Sequence, residues 1–260
     1  MTNTEGMPSK QIQIQIQIQK MRCIVLGGSG MLGRAVCETL AHRGARIGFT
    51  YFKGSEVAAD LTARLANTTA RQVDLTSVPD LERTCDELAE DLGGVDALIH
   101  TAGIGTVRDP GGFDKIFEID EAGWDRLMAV NVRSAFFAVK RLLPRLVEAK
   151  GNIVLMGSID GLRSVPAPVH YGSSKGALRS MVLALSKELG PSGIKVNMVA
   201  PGVLEGGLSR TMPDDLRAEF FKHCGLRRAG RMSEIAEIIA HLALENTYMT
   251  GQAIMVDGAL

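Results

Sequence analysis

The chain has 260 residues, of which 29 are basic and 29 acidic, so its formal net charge is zero. With no basic excess and no long basic run, it lacks the electrostatic footprint of a nucleic-acid or anionic-membrane binder. A hydrophobic content of 45% and a charged content of 22% describe an ordinary soluble globular chain, long enough for one α/β domain or for two smaller ones. Cys23, Cys37, Cys85 and Cys224 are scattered, with no C-x-x-C pair and no histidine pattern for zinc, so reduced, mostly buried thiols of a cytoplasmic protein are expected. No apolar run reaches the length of a membrane span, and the N-terminus lacks a signal-peptide core.

Residues 1–20 stand apart as an extension. Gln and Ile alternate from Gln11 to Gln19, a strict period-2 pattern. Such a stretch suits an extra strand or arm against a neighbouring subunit, where an unpaired edge is an aggregation hazard, or an unstructured extension. No chemistry is assigned to it.

From Met21 to Leu260 short apolar runs alternate with helical patterns. The expected order is a strand over MRCIVL, a glycine-rich turn and a helix to about His42, then a strand over RIGFT and a helix over 55–66. A short strand near 71–73, a helix over 79–92 and a strand over VDALIH follow. A loop over 103–120 leads to a long helix over 121–150, with an interruption expected near Pro144. NIVLMGS and IKVNMVAP are strands flanking the helix that carries Tyr171, and a helix over 233–244 precedes a last strand over QAIMVDG. Repeated strand–helix alternation without an internal linker predicts a single α/β domain of the Rossmann type. Its doubly wound parallel sheet would have about seven strands and carry helices on both faces.

Gly27, Gly30 and Gly33 follow the first strand and open the first helix, in the spacing G-x-x-G-x-x-G. That arrangement lets backbone approach a pyrophosphate at a helix N-terminus, where free amides and the helix dipole favour anions. Ser29, Met31 and Leu32 belong to the same loop. The second strand ends in Thr50-Tyr51-Phe52-Lys53 with no acid before Glu56, and Arg34 directly follows Gly33. A carboxylate there would select the ribose 2′-hydroxyl of NAD; two cations without one fit the 2′-phosphate of NADPH.

The segment from Ser158 to Lys175 carries the acid–base signal. Tyr171 and Lys175 are four apart at the start of a helical run, so both side chains leave one face. A phenol has an ordinary pKa of about 10, and a lysine cation one turn away is expected to pull it toward neutrality. Ser158, at the end of a strand, is placed to hold the oxygen of a reacting carbonyl.

These residues together resemble the short-chain dehydrogenase/reductase family over about 21–260. Asp74-Leu75 resembles the pair that contacts adenine, and His100-Thr101-Ala102-Gly103 sits where the family has Asn-Asn-Ala-Gly. Asn131 lies 27 positions before Ser158 and Tyr171 lies 13 after it, offsets that suit the family's Asn-Ser-Tyr-Lys tetrad. Pro201-Gly202-Val203 resembles the turn beneath the nicotinamide, and TGQAIMVDG the C-terminal strand. The resemblance implies that Tyr171 protonates a carbonyl oxygen as hydride arrives and that Ser158 orients the carbonyl. It also implies that Lys175 binds the nicotinamide ribose and lowers the tyrosine pKa, and that Asn131 holds a water linking Lys175 to solvent. Leu26 replaces the usual threonine before the glycine loop, Thr101 replaces an asparagine, and Gly206 stands where a cofactor-binding threonine is usual. The glycine spacing itself is commoner in extended members such as sugar epimerases, for whose substrate domain this chain leaves little room.

The tyrosine–lysine offset of four favours carbonyl over C=C reduction, since enoyl-reducing relatives typically use a longer one. The layout, with GRMSEIAEIIAHLA near the C-terminus, is most similar to 3-oxoacyl-carrier-protein reductases and polyketide ketoreductases. A β-ketoacyl thioester, free or on a carrier protein, is therefore the expected substrate. A sugar or secondary-alcohol dehydrogenase and a non-catalytic NADP sensor are the alternatives. Leu204, Leu208, Met212, Phe220 and Phe221 are expected to line an apolar lid. Arg227, Arg228 and Arg231 cluster behind it, to meet an acidic carrier or to be solvated. The resemblance also implies a homotetramer packed through the helices over 124–143 and 177–189 and the last strand.

Overall fold

A computed structural model describes residues 18, 21–105, 116–212 and 214–260. Seven strands form one sheet in the order β3-β2-β1-β4-β5-β6-β7. They are β1 (Arg22–Leu26), β2 (Arg46–Tyr51), β3 (Thr68–Gln72), β4 (Ala97–His100), β5 (Asn152–Met156), β6 (Lys195–Pro201) and β7 (Ala253–Val256). Every neighbouring pair is parallel, as Cys23 opposite Ile47 on one side of β1 and Ile24 opposite Leu98 on the other illustrate. The helices are α1 (Met31–His42), α2 (Ser55–Arg64), α3 (Val78–Leu92), α4 (Glu121–Met128), α5 (Ser134–Ala149), α6 (Val169–Leu189), α7 (Asp214–His223) and α8 (Met232–Leu244).

Alternation along the strands sends successive side chains to opposite faces. Ile24, Leu26, Leu98, Ile153, Leu155 and Met198 meet Leu81, Leu88, Leu142, Leu178 and Val182 of α3, α5 and α6. Cys23, Val25, Ile47, Phe49, Ile99 and Val154 meet Val36, Leu40, Leu61, Ile235 and Ile239 of α1, α2 and α8. All four cysteines are free and buried. Local signals set the helix ends. Ser77 caps α3 by accepting from the Asp80 amide, and Gly93, at φ 74°, terminates it.

Two expectations are corrected. β3 begins at Thr68, earlier than the apolar run suggested, because pairing with β2 rather than hydrophobicity defines it. The long helix is interrupted at 129–133, where one π turn separates α4 from α5, and Pro144 lies inside α5 without ending it. Pro144 and Lys140, whose carbonyl loses a partner, are both exposed, so water can replace the missing bond. Of the Gln-Ile stretch only Ile18 lies within the described residues. It sits in a helical turn, buried against the second core layer, with its carbonyl accepting from the Met21 amide at 2.9 Å. The rest of that stretch, expected as a strand, an arm or an unstructured extension, and most of the expected loop over 103–120 lie outside the described residues.

Strand order reverses beside β1, whose neighbours are β2 and β4. In an open parallel sheet that is where the chain splays and leaves a crevice at the carboxyl ends of the strands.

Candidate active site

A cavity of about 470 Å³ fills this crevice. Its floor is built by the glycine loop after β1. Gly27 has φ 87°, and a Cβ on Gly33 would lie 2.1 Å from the Gly27 carbonyl oxygen, so neither position accepts a larger residue without rearrangement. Leu26 is fully buried, and the loop is held instead by Thr50 of β2. The Gly27 amide donates to Thr50 Oγ1 at 3.0 Å, and the Gly28 amide to the Thr50 carbonyl at 2.8 Å. Thr101, standing where the family has an asparagine, ties the turn down by donating from Oγ1 to the Leu26 carbonyl at 2.9 Å, while the Ala102 amide donates to the same oxygen.

The first turn of α1 has no side-chain cap and no acidic residue, so its amides and dipole are left for an anion. Gly30, Met31, Leu32 and Gly33 of that turn line the cavity together with Thr101 and Gly103. This donor set fits the pyrophosphate of a dinucleotide. Ser29 lies against Gly54 in the β2–α2 turn. Tyr51 ends β2, Lys53 follows it with its ammonium over Phe52, and Arg34 is half exposed with Nε 3.4 Å from Glu38. These three, with Asp74 and Leu75, do not line the cavity. Asp74 accepts from the Thr76 amide and hydroxyl, and Leu75 is buried in the core.

Ser158, Tyr171 and Lys175 all line the cavity, beside Pro201, Gly202 and Val203 at the end of β6. Ser158 follows β5 and precedes a single 3₁₀ turn, Ile159–Gly161. Gly161 lets that turn touch α6, since a Cβ there would lie 2.4 Å from the Lys175 carbonyl carbon. Lys175 is buried and donates from Nζ to the Met156 carbonyl at 2.9 Å, with Nζ 5.5 Å from the centre of the Tyr171 ring. Burial lowers its pKa to about 8, opposed by the charge of Asp160.

Tyr171 departs from expectation. Burial first, and then the negative charge of Asp160, push its phenol above the ordinary value, with the Ser158 hydroxyl opposing them. Lys175 does not pull it down here, because desolvation of the phenolate outweighs a cation that is itself desolvated and bonded elsewhere. Tyr171 is consequently protonated throughout the neutral range, the state required of an acid.

Asn131 occupies the middle of the π turn and is fully buried. Its Oδ1 accepts from the Ile104 amide at 2.9 Å, and its Nδ2 donates to the Ile104 carbonyl at 3.0 Å and to Ser174 Oγ at 3.1 Å. Asn131 does not line the cavity, but a Cβ on Gly103 would lie 3.5 Å from Lys175 Nζ and 3.6 Å from Asn131 Oδ1, so the three converge. His100 braces the turn from β4. Ser134 Oγ donates to the Val130 carbonyl at 2.6 Å, so the 2.7 Å contact with His100 Nε2 has the histidine as donor. Burial and then the Lys175 charge hold His100 down at about 3, leaving it neutral with Nδ1 unbonded among the described residues.

Leu204, Leu208, Met212 and Phe220 form the apolar wall. Phe221 faces a separate, smaller hollow with Arg217, Arg227 and Arg228, because neighbouring residues on a helix point about 100° apart. Arg228 and Arg231 both pair with Glu234. At Gly206, where a threonine was missing, the chain packs on Met31, and the Gly207 amide donates to Met31 Sδ at 3.0 Å.

The cavity also takes residues not anticipated from the sequence, among them Gly105, Ile159, Pro166, Pro168 and Met232 and one charged side chain, Asp160. Asp160 lies in the 3₁₀ turn, and its Oδ2 accepts from Ser158 Oγ at 2.8 Å. Its position two residues after Ser158 was the only available signal. Among the described residues no group of three or more His, Cys, Asp or Glu is placed to hold a metal ion, and no helix is long and apolar enough to cross a membrane.

A glycine-loop crevice with serine, tyrosine and lysine around it defines a dinucleotide-dependent oxidoreductase site. A family model described as enoyl-(acyl carrier protein) reductase matches residues 28–260, and the chain belongs to the short-chain dehydrogenase/reductase family of oxidoreductases. It is 30% identical over 241 residues to the 3-oxoacyl-(acyl-carrier-protein) reductase FabG of Escherichia coli, covering 91% of this chain and 96% of that protein. It is also 30% identical to the acetoacetyl-CoA reductase of Allochromatium vinosum over 91% of this chain and 97% of that one. Among solved structures, a blue fluorescent protein from a metagenomic library in complex with NADPH superposes with a TM-score of 0.86 at 29% identity. That match covers 94% of this chain and 98% of that chain. A short-chain dehydrogenase/reductase from Serratia marcescens gives 0.83 at 28% identity over the same shares.

Proposed function

We propose that this protein is an NADPH-dependent ketoreductase that reduces a β-ketoacyl thioester, of fatty-acid or polyketide type, to the secondary alcohol. The observation that carries the reading is the convergence of Ser158, Tyr171 and Lys175 on the cavity floored by the glycine loop. The likeness to reductases named for 3-oxoacyl and acetoacetyl thioesters supports the substrate class. Arg34 and Lys53, with no carboxylate at the end of β2, support NADPH over NADH. The tyrosine–lysine offset of four supports a carbonyl over an enoyl substrate, whatever the description of the family model.

When bound, NADPH supplies the hydride. Tyr171, kept protonated by its surroundings, gives its phenolic proton to the carbonyl oxygen. The Ser158 hydroxyl, whose single proton is given to Asp160 Oδ2 before substrate arrives, turns that proton to the carbonyl oxygen, orients it and shares its developing charge. Lys175 holds the nicotinamide ribose, and Asn131, by clamping Ile104 and Ser174, fixes the far side of the lysine where a water connects it to solvent. Phe136, Val147 and Leu183 on α5 and α6, and Met255 on β7, are exposed, which supports burial in a homotetramer.

The test is loss of reduced-nicotinamide absorbance with a panel of β-ketoacyl thioesters, with NADPH and NADH in parallel. Turnover with NADPH at least about ten-fold above NADH is expected. In Tyr171→Phe the rate should fall about 10²- to 10⁴-fold while NADPH binding holds. Tight NADPH binding without turnover of any ketone would favour the non-catalytic sensor instead. One observation, the Asp160 carboxylate among the lining residues of the cavity, favours the second reading of a dehydrogenase for hydroxylated substrates such as sugars.

A further inference from the structure

A carboxylate on the substrate side of this cavity needs a reason. Asp160 shares the cavity lining with Pro166, Pro168, Leu208, Met212 and Phe220, all apolar. It has no ion-pair partner within 4.0 Å among the described residues, and Lys175 acts on it only through its field. One oxygen is engaged locally, with Oδ2 accepting from Ser158 Oγ at 2.8 Å and the Asp160 amide donating back to that hydroxyl at 3.3 Å. No hydrogen bond to Oδ1 is present among the described residues, and Asp160 itself lines the cavity. A half-buried carboxylate oxygen without a donor is costly unless a ligand supplies one.

We propose that Asp160 is a specificity-determining residue whose Oδ1 accepts a hydrogen bond from a hydroxyl or ammonium group on the carbon next to the reacting carbonyl. The inference rests on the ketoreductase reading and narrows its substrate. The donor must sit close to the carbonyl, because Asp160 is one hydrogen bond away from Ser158, the residue that faces the carbonyl oxygen. Within the thioester class this selects a 3-oxoacyl chain with a hydroxyl or amino group on carbon 4. Among small ketones it selects an α-hydroxy or α-amino ketone over the alkyl isostere. Burial raises the Asp160 carboxyl above its ordinary range, and an incoming ammonium would favour the ionised form again. A site built to pair with a donor rejects the analogue that lacks it, because the carboxylate is then left desolvated and unpaired.

The test compares kcat/KM with NADPH for hydroxyacetone, 1-aminopropan-2-one and butan-2-one, which differ only in the group replacing one methyl. Wild type, Asp160→Asn and Asp160→Val are measured side by side. Any effect of releasing Ser158 acts on all three ketones and cancels in their ratios. Wild type should prefer at least one donor-bearing ketone over butan-2-one by about ten-fold or more. In Asp160→Val that ratio should collapse to about one. Asp160→Asn, nearly isosteric and still able to accept, should retain preference for the hydroxyl but lose it for the ammonium, which separates the two donors. Equal rates for all three ketones in wild type, or a preference that survives in Asp160→Val, would overturn the proposal and leave the ketoreductase reading standing. If wild type turns over neither these ketones nor any thioester, the ketoreductase reading itself falls, and this proposal with it.

Discussion

The two sides of the cavity are made of different material. On the cofactor side, shape is set by backbone: glycines that admit no Cβ, Thr50 holding the loop, and the Leu26 carbonyl receiving the 101–102 turn. On the substrate side, shape is set by side chains from the 204–220 segment and by one carboxylate. A backbone surface recognises what every member of a family binds and tolerates little change. A side-chain surface can be altered one residue at a time without disturbing the sheet, so it is where specificity is free to vary.

The sharpest way to break this contrast is to add one methyl to the backbone side. Gly33→Ala places a carbon 2.1 Å from the Gly27 oxygen, so NADPH binding should fall below detection in a fluorescence titration and the melting temperature should drop. Wild-type binding in that variant would refute the rigidity of the loop.

A pH profile examines the shared centre. Burial holds Lys175 at about 8, so its ammonium is present below that value and lost above it, while Tyr171, shifted upward, stays protonated across the range. The kcat/KM for NADPH, which reports the free enzyme, should be flat near neutrality and fall about ten-fold per unit above pH 8. A plateau extending well past pH 9 would show that the lysine is not desolvated in solution.

On the substrate side a larger deletion should do less. Leu208→Ala removes three carbons from the wall, and KM for a medium-chain ketone should rise about three- to ten-fold with the melting temperature unchanged. A loss of stability would mean that the wall is part of the core.

The smallest effect concerns His100. Its folded pKa lies near 3 against an ordinary 6.5, so the unfolded chain binds the extra proton and stability is lost as pH falls through that window. The slope from this one group reaches about 1.4 kcal/mol per pH unit. Denaturant melts of His100→Asn should show a shallower decline between pH 6 and pH 4, and an unchanged slope would place the acid sensitivity elsewhere.

Features that rest on short-range rules were legible in the sequence. The order of strands and helices followed from periodicity, the glycine loop from its place between strand and helix, and the pairing of Tyr171 with Lys175 from helical spacing. Pro144 misled because its effect depends on whether the carbonyl it strands can reach water, which requires knowing which face is exposed. The π turn at 129–133 left no mark, since it is stabilised by His100 and Ser134 meeting across two elements. Phe221 and Phe220 were inseparable until the rotation of α7 about its axis was known.

The sequence by itself determined the parallel sheet and the residues that could carry hydride-linked acid–base chemistry, because both follow from periodicity and spacing along the chain, whereas the strand order and its switch point came from the structure. Only the tertiary structure decided the direction of the Tyr171 shift and the exposure of Asp160. Both are set by desolvation and by charges from different segments, and burial is a property of the assembled fold rather than of any stretch of chain.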